Sequence, residues 1–378
     1  MAGEQIRVGI IGANAHSGWS MRAHLPALLA LPEYQLTAVC TAHQETAEES
    51  AKHYGARLAF HNYQEMVVHP DIDLVSVSVR VPLHHRMVMA ALDAGKHVYC
   101  EWPLGANLAE AEEMASLAQA KGVCHMVGLQ ARSDPALLRL QELLAEKYVG
   151  EVLACNMTMF LPGLLQRGLD RAWMADRDNG ANTLTIATGH ATDALCFCVG
   201  EFQQLSAQSA IRVRVWEVAD SPNTVDVTAP DNVLVNGVLS SGAVASVHVA
   251  TVPWHGTGWK MEVYGREGTL VASSEQMVQY AQIRLQGGLG QDSELKELPI
   301  PERLTWVPGE VPLGAPFNVA QMYRRLSQGI QEGNGVQPDF DLAVRRHRLL
   351  DVIQRSSRSE EHTSELQSLA YLVCRLLL

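Results

Sequence analysis

The chain has 378 residues, 47% of them hydrophobic, and a formal charge of −12 at pH 7. That length and apolar content suffice for two ordinary domains with substantial cores, while the acidic balance and the absence of clustered Lys and Arg argue against a sequence-independent nucleic-acid binder. No run of about 18 apolar residues occurs, and Met1-Ala2-Gly3-Glu4-Gln5 has no basic segment ahead of an apolar stretch; the expectations are a cytoplasmic protein with no membrane association and a small-molecule partner.

The first apolar run, Ile6 to Ile11, ends in Gly12-Ala-Asn14-Ala-His16-Ser-Gly18-Trp19. Strand, small-residue turn, then helix points backbone N–H groups and a helix N-terminus at a pyrophosphate. The glycine pattern is irregular, with Asn14 at the middle position and Gly18 one residue late. Asn tolerates positive φ better than most residues, so Gly12, Asn14, Gly18 and Trp19 are candidate dinucleotide contacts. An ordinary βα turn would explain the two glycines without a nucleotide.

Leu36 to Cys40 reads as a second strand, Glu45 to Tyr54 as a helix, Leu74 to Val79 as a buried strand, His85 to Ala94 as a helix and His97 to Cys100 as another strand. Leu108 to Ala120 reads as a helix closed by Gly122. Strands alternating with helices imply a parallel sheet with right-handed crossovers, and hence an α/β dinucleotide fold. Cys40-Thr41-Ala42-His43, at the end of the second strand, offers no carboxylate to bond a ribose 2′-hydroxyl. Nothing there repels a 2′-phosphate, so the expected cofactor is NADP or NAD with a tilt towards NADP. Thr41 and His43 are its candidate contacts; a role as plain surface-loop residues fits them equally well.

The stretch Ala94-Gly95-Lys96-His97-Val98-Tyr99-Cys100-Glu101-Trp102-Pro103-Leu104 resembles the glucose-fructose oxidoreductase, inositol dehydrogenase and MocA superfamily, which carries Ala-Gly-Lys-His-Val-x-x-Glu-Lys-Pro at this place. Agreement continues at His69-Pro70-Asp71-Ile72-Asp73, Tyr148-Val149-Gly150-Glu151-Val152 and Tyr264-Gly265-Arg266-Glu267-Gly268-Thr269-Leu270. The resemblance implies an N-terminal Rossmann domain, residues 1–128, and a C-terminal α/β domain, residues 129–357, built on a large, mostly antiparallel sheet. A helix from Pro135 to Lys147 and the alternating segments Val233 to Leu239, Val244 to Val249 and Met261 to Tyr264 agree with it. It also implies a homodimer or homotetramer. From Arg358 the chain reads Arg-Ser-Glu-Glu-His-Thr-Ser-Glu-Leu-Gln-Ser, which resembles the conceptual translation of a sequencing adapter; residues 358–378 are expected to be a non-native tail.

In the superfamily's enzymes the Lys of Glu-Lys-Pro acts with a later Asp and His on the substrate hydroxyl. Here Trp102 stands at the Lys position, and an indole carries no titratable proton. His190 matches the His, but Ile186 stands four residues before it, where the Asp belongs. Gly18-Trp19, His24-x-Pro26-Ala27, Glu101-Trp102, Leu129-Gln130-x-Arg132 and Gly189-His190-x-x-Asp193 resemble the branch that contains the fungal repressor of galactose metabolism.

His190 and Asp193 are the candidate catalytic pair, a general base oriented by a carboxylate; a hydrogen-bonded helix at a domain interface accounts for them equally. Trp102 has three readings: a platform for nicotinamide or sugar, hydrophobic filling of the Lys site, or reshaping for a partner segment. Arg80 either binds phosphate or caps a carboxylate such as Glu101, and His85 either serves the cofactor turn or makes a helix-start hydrogen bond. Asp176, Arg177 and Asp178 are candidates on a substrate-facing loop, although a charged loop is usually only solvated. Glu101, Trp102, Pro103 and Gln130 complete the expected cofactor contacts. The seven cysteines lack paired metal-site spacing, so no metal is expected. Two functions follow: an NAD(P)-dependent oxidoreductase acting on a hydroxyl or carbonyl of a sugar, polyol or similar compound, and a catalytically silent dinucleotide-binding regulator with a protein partner.

Overall fold

In the computed structural model, which describes residues 5–280, 282–358 and 364–365, the N-terminal apolar run is β1 (Ile6–Ile11), and α1 (Leu25–Ala30) follows the turn. Next come β2 (Tyr34–Cys40), α2 (Gln44–Tyr54), β3 (Leu58–Phe60), α3 (Tyr63–Val67), β4 (Leu74–Val77), α4 (His84–Asp93), β5 (His97–Glu101), α5 (Leu108–Lys121) and β6 (His125–Gly128). The six strands form one parallel sheet in the order β3-β2-β1-β4-β5-β6. Strands buried on both faces need continuous apolar character, which is why Ile6–Ile11 and Leu74–Val77 were legible as strands. β4 stops two residues short of the expected Val79: the Ser78 N–H still bonds Ile11 O at 3.0 Å, but β1 ends at Ile11 and offers no further pairing. β3, α3 and β6 are three to five residues long and show no period to read. Strand order reverses between β1 and β4, and in open α/β sheets the crevice at that point, outside the carboxyl ends of the strands, is where ligands bind.

The second half opens with α6 (Pro135–Ala145), whose N-cap Asp134 accepts from the N–H of Ala136. It continues through β7 (Val152–Pro162), β8 (Gln166–Arg167), α7 (Gly189–Cys198), β9 (Phe202–Ala210), β10 (Val215–Val218), β11 (Thr224–Asp226), β12 (Asn232–Leu239), β13 (Val244–Val252), β14 (Gly258–Gly265), β15 (Gly268–Ser274), β16 (Arg284–Leu289) and β17 (Lys296–Glu297). The large sheet runs β17-β16-β15-β14-β7-β13-β12-β9; only the β7–β13 pair is parallel, so it is the mostly antiparallel sheet expected. One face packs inward through Cys155, Met157 and Met159 of β7.

Two further helices, α8 (Ala315–Glu332) and α9 (Phe340–Arg358), were not anticipated. α8 returns to the first sheet, where Val319, Tyr323 and Leu326 share a core with Ile6, Val8 and Ile10. α9 packs on α5 and β9. The expected non-native tail lies outside the described residues, apart from Arg358 at the end of α9 and a two-residue strand, Ser364–Glu365, paired with Leu205 and Gln204 of β9. Among the described residues, no helix is long and apolar enough to cross a membrane.

Candidate active site

Gly12 has φ +94°, and a Cβ there would stand 2.1 Å from Ser78 O. Only glycine lets the turn after β1 lie this close to the end of β4. The Asn14 carboxamide oxygen accepts from the N–H groups of His16 and Ser17 at 2.8 and 3.1 Å, closing the turn with its side chain. Gly18, at φ +96°, faces open space. The Trp19 ring stacks on Tyr280 with centroids 5.2 Å apart. A π-helical turn, Ser20–His24, then carries His24 inward.

His24 Nε2 lies 2.9 Å from Glu101 Oε1, and its Nδ1 lies 2.8 Å from the Tyr323 hydroxyl. Tyr323 in turn donates to Ser76 Oγ at 2.9 Å. Gln130 Nε2 donates to both Glu101 oxygens at 2.9 Å. The carboxylate at the end of β5 is thus fixed from two sides. Arg80 does not cap it; its guanidinium sits over the Trp173 ring, 5.4 Å from the centroid, and reaches Asp170 O at 3.4 Å.

Trp102 precedes a cis peptide bond to Pro103 and is 4% exposed. Its Nε1 donates to Thr185 O at 2.9 Å, and its ring centroid is 4.9 Å from that of His347 on α9. The ring also lies on Gly189, where a Cβ would stand 2.5 Å from Nε1. The indole therefore packs between the π-helical segment Thr183–Thr188 and α9. Ile186, on that same segment, is half-buried.

His190, one residue past Gly189, is buried with its Nδ1 unpartnered. Burial lowers its pKa to about 4, against the opposing pull of Glu101 and Asp193. The expectation that Asp193 orients this ring needs correction. Asp193 accepts from Arg132 Nε and Nη2 and from Arg346 Nε, each at 2.8 Å. Burial alone would raise its pKa, but the two guanidiniums hold it below the usual carboxylate range. Two cationic forks compete for a carboxylate far better than a neutral imidazole, so the carboxylate joins α7 to the turn after β6 and to α9.

A second correction concerns His85, which pairs with Glu113 of α5 at 2.8 Å on the solvent side of α4. The ring facing the Pro103 turn belongs to its neighbour His84, 2.8 Å from Pro103 O and 3.1 Å from Val79 O; successive helical residues point about 100° apart. Thr41 turns its hydroxyl to His43 O at 2.9 Å and to the Thr46 hydroxyl at 2.6 Å, while His43 is exposed at the start of α2. Among the described residues, no group of three or more His, Cys, Asp or Glu is placed to hold a metal.

A dinucleotide fits this crevice. Ser78 Oγ, Gln130 Oε1 and His190 Nδ1, from the ends of β4 and β6 and from α7, are all buried without partners, and buried polar atoms ordinarily find one. Sequence patterns did not point to Tyr323, Arg346, Tyr280 or His347; His24 and Arg132 stood inside recognised motifs without an assigned role.

Two family models match the chain: the oxidoreductase family with NAD-binding Rossmann fold (GFO_IDH_MocA) over residues 6–129, and the Gal80p C-terminal domain over residues 135–274. The chain is 36% identical over 239 residues to Dehydrogenase aclE of Aspergillus oryzae, covering 58% of this chain and 65% of that one. It is 28% identical over 258 residues to the galactose/lactose metabolism regulatory protein GAL80 of Saccharomyces cerevisiae, covering 63% and 59%. The matched region thus spans less than two thirds of either relative. In fold, the chain superposes on levoglucosan dehydrogenase in complex with NADH and L-sorbose with a TM-score of 0.85 at 22% identity, covering 97% of this chain and 100% of that one.

Proposed function

We propose, for a chain that belongs to the Gfo/Idh/MocA superfamily and carries a Gal80p-type second domain, a nicotinamide-dependent oxidoreductase acting on a hydroxyl or carbonyl of a sugar, polyol or related compound, with His190 as its acid–base group. The observation that carries this is a buried, neutral imidazole with an unpartnered Nδ1 near Glu101 and the dinucleotide crevice. The cofactor supplies the hydride chemistry; the chain supplies binding, orientation and a place for the proton. A neutral ring at pH 7 accepts a hydroxyl proton, and desolvation keeps it neutral. No lysine shares the task, and Asp193 is held by arginines, so His190 works without a carboxylate partner. Orientation of substrate against cofactor provides the larger part of catalysis here.

NADP is accepted beside NAD, with NADP somewhat preferred, because the end of β2 presents no carboxylate to a 2′-phosphate. The name of the dehydrogenase aclE supports the reaction type, and the sequence likeness to a levoglucosan dehydrogenase supports the substrate class. Homodimer or homotetramer formation uses the outer face of the large sheet, where Val244 and Tyr264 both flank Ala154 and are 60% and 41% exposed. Light scattering at the monomer mass would remove that assignment.

The buried Trp102 and the Gal80p-type domain favour one other reading, a dinucleotide-binding regulator without turnover. Assay of a neutral sugar and polyol panel with NAD and NADP separates the two. Turnover abolished by His190→Ala while the cofactor still binds supports the enzyme; tight cofactor binding with no turnover on any panel member sinks it for those substrates.

A further inference from the structure

A second cleft, of about 360 Å³, opens between the start of α5, residues 177–185 and α9. None of Glu101, His190, Trp19 or Tyr280 lines it. It lies behind Trp102, because His347 and Thr185, the two residues that hold the indole, form part of its wall. We infer that this cleft binds a small neutral polyhydroxylated molecule of monosaccharide size and that its occupancy is transmitted to Trp102.

The chemistry of the wall selects that class. Its charges lie beside opposite ones, Arg177 beside Asp178 at 3.9 Å and Asp351 beside Arg355 at 3.0 Å, so the wall presents no concentration of one sign to select an anion or a cation. What remains is amide and imidazole. Asn107 and Asn182 use their carboxamide oxygens to cap helical N–H groups at 3.0 Å, which leaves their NH₂ groups as donors. Gln354 adds a third amide. His347 is 95% buried and its Nε2 faces Gly105 N at 3.5 Å, which favours the tautomer that carries the proton on Nδ1 and offers it as a donor. Burial pushes its pKa down to about 3, keeping the ring neutral. Leu108, Leu350 and Pro230 supply apolar surface for the C–H face of a sugar ring. The volume lies at the small end of the roughly 300–1,000 Å³ typical of ligand pockets.

The route to Trp102 is short. Its ring lies on Gly189, directly before His190, and Thr185 both holds the indole through its carbonyl and receives the Asn182 N–H on its hydroxyl at 2.9 Å. A ligand that bonds His347 and Thr185 moves or stiffens that ring, and the effect is reciprocal.

The test uses the full chain saturated with NADPH, titrated with the neutral aldohexoses and hexitols, with inorganic phosphate as the anionic arm. Binding is followed by isothermal titration and by tryptophan fluorescence. At least one sugar is expected to bind with a component that survives His190→Ala but weakens at least about tenfold in both Gln354→Trp and Asp351→Phe, which fill the mouth of the cleft. The accompanying fluorescence change is expected to be lost in Trp102→Phe. Unchanged NADPH affinity in the cleft variants verifies that they fold. No sugar binding, binding indifferent to both cleft variants, or a phosphate-selective site would each overturn the inference. Because the surviving component is scored in His190→Ala, failure of the proposed catalytic role leaves this result separately readable.

Discussion

The indole N–H of Trp102 donates to the carbonyl oxygen of Thr185 at 2.9 Å, at the position where the sequence resemblance leads one to expect a lysine. That bond and the contact with His347 make the residue part of the packing between the two halves. Trp102→Ala is therefore expected to lower stability by about 3–5 kcal/mol, as for other large aromatic truncations. Trp102→Phe keeps most of the packing and loses about 1–2 kcal/mol, since it strips Thr185 O of its donor. Trp102→Lys places an ammonium in a buried apolar site and destabilises without raising turnover. Urea denaturation ranks the three; a loss below about 1 kcal/mol for the alanine variant would show that the ring is not structural.

Asp193 is the anchor for two buried guanidiniums, those of Arg132 and Arg346. Removing one member of a buried ionic cluster leaves uncompensated charge and costs about 3–5 kcal/mol. Asp193→Ala is expected to show that loss in chemical denaturation. If it unfolds at the wild-type urea midpoint, the cluster contributes nothing to stability.

His190 sets an acid limit. Its folded pKa, about 4, lies below the roughly 6.5 of a free imidazole, so its contribution to stability is complete above pH 6.5 and is lost as pH falls towards 4. Turnover is expected to hold level from pH 7 to about 5 and then fall with uptake of one proton. A fall centred near pH 6.5 would mean that the ring titrates as if exposed and that the buried-base assignment is wrong.

The parallel sheet and one half of the crevice were legible in the sequence because each local signal matched its neighbours: a two-face-buried strand, a glycine turn and the Glu101-Trp102-Pro103 stretch. The supporting half was not. His24 meets Tyr323 across 299 residues and Asp193 meets Arg346 across 153, and no period or spacing announces a contact at that range. His190 and Asp193, three apart, looked like partners on one helix; guanidiniums from two other segments took the carboxylate. His84 and His85 could be told apart only once α4 had an orientation.

Gly12→Ala tests the turn directly. The added Cβ meets Ser78 O at 2.1 Å, and φ +94° is strained for any side chain. The turn must move off β4, so dinucleotide affinity is expected to fall at least about tenfold while Gly18→Ala, with open space around it, pays only for its positive φ. Equal affinities for Gly12→Ala and wild type would place the cofactor elsewhere.

Asp134 carries the opposite pH signature to His190. It caps α6, accepting from Ala136 N at 2.9 Å and from Asn318 Nδ2 of α8 at 3.2 Å, yet burial pushes its pKa up to about 7, with those hydrogen bonds pulling the other way. A carboxyl whose folded pKa exceeds its unfolded value of roughly 3.9 stabilises the fold in its protonated form. That stability is fully present below pH 3.9 and is lost as pH rises through 7. Asp134→Asn keeps an oxygen for the helix cap and removes the titration. The variant should therefore gain on wild type as pH rises from 4 to 8, by on the order of a few kcal/mol. Subtracting the wild-type unfolding free energy at each pH isolates this from the histidine contribution, which both proteins share. A difference that stays constant from pH 4 to 8 would mean that Asp134 is ionised throughout and that its bonds to Ala136 and Asn318 outweigh its burial.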